Sequence, residues 1–198
     1  MLGSITPLGE RGRNSRWELT VAAFITASTA AGTLLGGLLG AVGGLAGASG
    51  STVAIVLLAL AILTALAFDL GLGGARLPTV HRQVDEEWLG RYRGWVTGVG
   101  FGFQLGLGVA TIVTTAFTYV AFLAAGLSGG VATGAVIGAV YGLVRAGTIL
   151  AGSRVSSPER LVQLDDWLGR WERPAQRTLM TAQVLLLALA LTVAVSAV

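Results

Sequence analysis

The sequence predicts an all-α integral membrane protein: a five-span helical bundle with two interfacial amphipathic helices and a duplicated hairpin unit. Three observations predict it. Of 198 residues, 54% are hydrophobic and only 12% are charged, whereas a soluble domain carries about a quarter charged residues. Five apolar stretches approach or exceed the ~20 residues that a membrane-crossing helix needs. The breaks between those stretches alternate in kind, short and uncharged or long and arginine-rich.

Residues 1–18 read as a polar cytoplasmic N-terminal arm carrying Arg11, Arg13 and Arg16. They do not resemble a cleavable signal peptide, because the apolar stretch that follows is too long for an h-region. Residues 19–198 read as a single transmembrane domain. Its first span is expected at Leu19–Ala48 and its second at Thr52–Leu70, joined by the short Ser49-Gly50-Ser51 turn. The third is expected at Trp95–Leu127 and the fourth at Val131–Leu150, joined by Ser128-Gly129-Gly130. The fifth is expected at Leu179–Val198. Short turns join antiparallel neighbours, so the order is hairpin, charged loop, hairpin, charged loop, final helix. The first and third spans are overlong. At ~1.5 Å per residue, about 30 residues make roughly 45 Å against a hydrocarbon core of ~30 Å. They must tilt, protrude or break.

All 13 basic residues are arginine. Apart from Arg145, they lie in the arm and in the loops 74–94 and 152–178, which share one side when the N-terminus is inside. The positive-inside rule makes that side cytoplasmic and leaves the C-terminus outside, in the inner (plasma) membrane of a bacterium. Trp17, Trp88, Trp95, Trp167 and Trp171 fall on the same side, at the level of an interfacial aromatic belt. The arginines are interleaved with acids, which argues against a nucleic-acid surface.

The two loops share a motif. Glu86-Glu87-Trp88-Leu89-Gly90-Arg91-Tyr92 is matched 79 residues later by Asp165-Asp166-Trp167-Leu168-Gly169-Arg170-Trp171. The match predicts a duplicated hairpin-plus-loop unit in parallel orientation. Each loop also has helical amphipathicity, so a short interfacial helix is expected in each. Ser157-Pro158 is placed to start the second and Pro174 to end it. Such helices anchor a bundle or offer a docking surface to a partner.

Three spans carry glycine at every fourth residue: Gly32, Gly36, Gly40 and Gly44; Gly94, Gly98, Gly102 and Gly106; Gly130, Gly134, Gly138 and Gly142. Residues four apart share a helix face, and glycine there admits close backbone approach. These glycine zippers predict that the first, third and fourth spans pack tightly, with the second and fifth peripheral.

Asp69 and Arg145 are the ionisable residues inside the expected spans. Each would cost about 2.5–3.5 kcal/mol in hydrocarbon, which favours an Asp69–Arg145 ion pair or snorkelling to interfacial water. Gln104 lies in the third span, and the threonines of the first and third spans either bond back to their own helices or line a polar path. The chain has no cysteine and one histidine, His81. That excludes disulfides, thiol chemistry and a multi-histidine metal site within one chain. No catalytic constellation, phosphate loop or metal spacing stands out, so neither an enzyme nor a cofactor is expected.

The stretch Gly98-Val99-Gly100-Phe101-Gly102-Phe103-Gln104-Leu105-Gly106-Leu107-Gly108, with Gly142-Leu143-Val144-Arg145-Ala146-Gly147, resembles the membrane part of the DsbD/CcdA family. The resemblance covers about a third of the chain and rests mostly on glycine spacing. It implies a duplicated helical fold. The family's two intramembrane cysteines and their neighbouring prolines are absent here, and five spans stand where that family has six. Thiol electron transfer therefore does not carry over, and no functional residue does.

Two functions follow as expectations. One is a small permease or transport component working through Asp69, Arg145 and Gln104. The other is a non-catalytic structural or assembly subunit of a larger membrane complex. The expected partners are the lipid bilayer and a membrane-protein partner or a second copy of the chain.

Overall fold

The computed structural model describes residues 5–72, 91–108 and 115–196, and these form an all-helical bundle. In chain order the elements are α1 (Pro7–Gly12), α2 (Trp17–Leu45), α3 (Thr52–Asp69), α4 (Gly94–Leu107), α5 (Phe117–Leu127), α6 (Val131–Gly147), a 3₁₀ segment (Thr148–Arg154) and α7 (Pro158–Ser196). Four helical stretches are long and apolar enough to cross a membrane: α2, α3, α6 with its 3₁₀ extension, and α7. The described part of the chain is thus that of a multi-pass membrane protein. His81, Arg76, Arg82, Trp88 and most of the first loop motif lie outside the described residues.

The helix boundaries have local causes. Thr6 accepts a hydrogen bond from the Gly9 amide and Pro7 occupies the first turn, so α1 starts there. Ser51 caps α3 through the Ala54 amide at 3.1 Å. Gly47, Gly50 and Gly129 have positive φ in the two short turns, where glycine avoids the Cβ clash of the left-handed region. Thr29 and Thr33 within α2 bond back to their own helix, to the Ile25 carbonyl at 2.8 Å and to the Thr29 carbonyl at 2.7 Å. These two hydroxyls do not line a polar path.

The helix α2 is the axis of the bundle. A Cβ on Gly32, Gly36 or Gly40 would run into the carbonyl oxygens of Gly138, Gly134 and Gly130 respectively, so α6 lies antiparallel against α2 in backbone contact. The Ser28 hydroxyl donates to the Gly142 carbonyl at 2.9 Å across the same seam. A Cβ on Gly98, Gly102 or Gly106 would meet the carbonyls of Thr20, Phe24 and Ser28, so α4 runs parallel to α2 along its first half. Further along, Gly43 lies against the Gly126 carbonyl, which places α5 beside the second half of α2. In this way α4 and α5 follow each other along one neighbour. The expected single third span is two helices of 14 and 11 residues, each too short to cross alone. The cause at the α4 end is Gly108, whose φ of 70° ends the helix.

Two further departures concern the ends of the chain. Pro174 does not end a separate interfacial helix. It sits inside α7, a single helix of 39 residues that carries the second loop motif on its first half. The N-terminal arm is not detached from the bundle. Ile5 is buried with Val21, Phe24, Phe101, Ala146 and Ile149, and the Leu8 amide donates to the Val155 carbonyl at 3.1 Å. Glu10 is buried with them, paired to Arg13 and accepting from the Thr20 hydroxyl at 2.9 Å. The arm therefore closes the arginine-rich end of the bundle.

Candidate functional site: a capped carboxylate between three helices

The helices α3, α5 and α7 meet in a second, smaller cluster. Ile62, Ala65, Ala116 and Val120 form its buried part, with Leu58, Ala61, Phe68, Phe117 and Leu187 packed around it. One turn beyond Ala65 stands Asp69, the last residue of α3. One turn before Leu187 stands Gln183, the only residue of α7 that is buried. Their side chains meet at the first residues of α5.

Asp69 accepts three hydrogen bonds. The Thr115 hydroxyl donates to Oδ2 at 2.7 Å, the Ala116 amide to Oδ1 at 2.9 Å, and the Gln183 amide nitrogen to Oδ2 at 2.7 Å. The carboxylate thus caps α5, where the unpaired amides and the helix dipole favour negative charge. All three partners are donors, and between them they engage both carboxylate oxygens. Among the described residues no cation pairs with it; the ion pair seen there is Arg13–Glu10. The Gln183 carbonyl oxygen is fully buried and has no hydrogen-bond partner among the described residues.

Helix lengths set the depth. At ~1.5 Å per residue, Asp69 stands about 25 Å along α3 and about 16 Å along α5 from the two short turns. Those turns share one level, since Gly129 lies against Ser49. A hydrocarbon core of ~30 Å measured from those turns would extend past both values.

Arg145 does not reach Asp69. It donates to the Tyr141 hydroxyl one turn earlier on α6, and its guanidinium carbon stands 5.7 Å from that ring's centre. Tyr141 packs edge-on against Phe122 with centroids 4.9 Å apart. Both rings abut Gly108: a Cβ there would lie 2.5 Å from Phe122 Cζ and 2.6 Å from the Tyr141 oxygen. So Asp69 stands at the start of α5, while Arg145 is joined to Tyr141, whose hydroxyl abuts Gly108 at the end of α4.

Gln104, half-buried on α4, makes no hydrogen bond to a described residue and belongs to neither group. Of the described tryptophans, Trp95, Trp167 and Trp171 are exposed and Trp17 is half-buried; Trp17 and Trp167 lie beside Arg154 and Arg160. Gln183 escaped the sequence reading because it is one amide in a long apolar run; its signal is that isolation. Comparison of the chain with protein-family models, with curated proteins and with solved structures finds no match.

Proposed function

We propose that this chain is a small membrane transport component whose working group is Asp69. The carrying observation is a half-buried carboxylate between apolar helices, without a cationic partner among the described residues, set at the start of a helix too short to span. Ionisable side chains within membrane spans are costly and mark ion or proton paths. Paired half-helices are a recurring device of transporters, because their ends bring backbone dipoles to mid-membrane. In this reading α4 and α5 together make the fifth crossing, and Asp69 takes up a coupling cation, either a proton or a monovalent metal ion. Gln183 supplies a further oxygen from α7, a helix held to the bundle over a small area and therefore able to move. The α2–α4–α6 seam takes no part in conduction, because backbone contact closes it.

The opposing reading makes Asp69 a polar lock that only docks α7. Charge displacement separates the two. Proteoliposomes adsorbed on a solid-supported membrane receive a step in Na⁺ or in H⁺ concentration. A transient current that disappears in Asp69→Asn, with melting unchanged, is the expected result. No current from the unaltered chain for either cation overturns the transport reading and leaves the lock.

A further inference from the structure

The arginine-rich end holds a feature that owes nothing to Asp69. A cleft of about 440 Å³ opens between α1, the start of α2, the 3₁₀ segment and the first turn of α7. Its walls include Arg11, Arg16, Arg154 and Arg160, one guanidinium from each of the four segments, with Ser15, Ser153 and Ser156 between them. Glu18 is the one carboxylate in the lining. Outside the lining, Glu10 is buried and already committed to Arg13 and Thr20, and Glu159 flanks Arg160 on the exposed first turn of α7.

The cleft is built and held. The Leu8 amide bonds to the Val155 carbonyl, fixing α1 against the 3₁₀ segment, and Arg160 donates to the Arg154 carbonyl at 3.1 Å, fixing α7 against it. Ile5 and Ile149 pack in the core just beneath. None of the four guanidinium groups is paired with a carboxylate among the described residues. Four arginines lining one cleft concentrate positive charge there, so the arrangement gains from an anion bound among them. Arginine forks and serine hydroxyls are donors matched to phosphate oxygens. The level is that of the membrane interface: Trp17 lines the cleft, and the apolar length of α2 begins there.

We infer that this cleft is a binding site for the phosphate headgroup of an anionic phospholipid. The acyl chains would leave along the exposed apolar surface that starts at Leu19, itself 53% exposed. Basic pockets between helices at an anionic leaflet bind headgroups in this way.

The test uses the full chain in zwitterionic detergent micelles, melted during titration with phosphatidylglycerol, with phosphatidylcholine and with inorganic phosphate. Phosphatidylglycerol raises the melting temperature, and the other two do not. The paired variant Arg11→Gln/Arg154→Gln, which melts like the parent without lipid, weakens that response by roughly 25-fold, taking ~1 kcal/mol per arginine. The variant Arg173→Gln/Arg177→Gln removes equal charge from the exposed face of α7 and keeps the response. If the first pair melts early on its own, Arg11→Gln alone replaces it, since that side chain is exposed. Equal stabilisation by phosphatidylcholine, or equal loss in both paired variants, overturns the site in favour of diffuse interfacial charge. Equal stabilisation by inorganic phosphate overturns the lipid assignment.

Discussion

A carbonyl oxygen occupying the place of a side chain is what makes single glycines decisive here. At Gly36 an added methyl would fall on the Gly134 carbonyl, and neither backbone can yield without parting α2 from α6. Gly36→Ala is expected to cost at least the 1–3 kcal/mol typical of overpacking, read as a lowered melting temperature in detergent. Gly108→Ala adds left-handed strain to contact with Phe122 and Tyr141, and should be as severe. Gly169→Ala provides the contrast, because nothing lies within 4 Å of its Cβ in the middle of α7. It should stabilise by up to about 1 kcal/mol through helix propensity. Asp69 and Gln183 also differ in their expected effects. Asp69→Ala strands three donors at a half-buried site, each costing at most about 1–3 kcal/mol to leave unmade. Gln183→Leu loses one bond to a charged group but also removes an orphan acceptor, two terms of similar size and opposite sign. Its melting temperature should therefore shift far less than that of Asp69→Ala. A near-equal loss in both variants would show that Gln183 is held for stability alone.

At the scale of elements, some features were legible in the sequence and others were not. The every-fourth glycines could be read because a helix face repeats with that spacing, and they sit at the α2–α4 and α2–α6 contacts. The two hairpin turns could be read from Ser and Gly runs between apolar segments. The division of the third span could not be placed. Gly98, Gly100, Gly102, Gly106 and Gly108 offer the same permissiveness, and only tertiary packing against Phe122 and Tyr141 selects Gly108 for positive φ. The role of α1 was hidden for another reason. Its composition is polar, yet Ile5, Thr6 and Glu10 alone turn inward, and beyond the local partner Arg13 one turn on, Glu10 finds Thr20 of α2, which no local pattern announces. Ile5→Ala should accordingly cost about 2–5 kcal/mol, the range for a buried isoleucine, although it lies outside every apolar stretch. An unchanged melting temperature would mean that α1 does not close the bundle in solution. Pro174 misled because proline usually stops a helix, removing one hydrogen bond and crowding the preceding turn at ~3 kcal/mol. On α7 its surroundings are exposed, so a bend is free to relieve the crowding. Pro174→Ala should straighten α7, measurable as a longer spin-label distance between its two ends.

Taken over the described residues, the molecule has Arg11, Arg16, Arg154 and Arg160 at one end and its two short turns at the other, with α2 running between them. The number of crossings then decides where the chain ends. Four crossings return the C-terminus to the side of the N-terminus, whereas the α4–α5 pair as a fifth crossing separates them. The absence of cysteine makes the experiment direct, because single substitutions report without background. Arg11→Cys and Ser196→Cys, probed with an impermeant maleimide in oriented vesicles, should label from opposite faces. Labelling from one face would return α4 and α5 to a re-entrant pair and remove the crossing on which the transport reading rests.

The order in which these contacts can form has its own consequence. Gly36 of α2 leaves the ribosome almost a hundred residues before its partner Gly134 of α6. At ~5–20 residues per second, that interval is on the order of 5–20 s. Throughout it, the face of α2 that α6 will cover is without that partner and has other groups against it. The α2–α6 seam therefore makes biogenesis depend on whatever shelters that face. Nascent chains arrested before α6 should cross-link through the glycine face of α2 to the insertion machinery, and the cross-link should vanish once α6 has entered the bilayer.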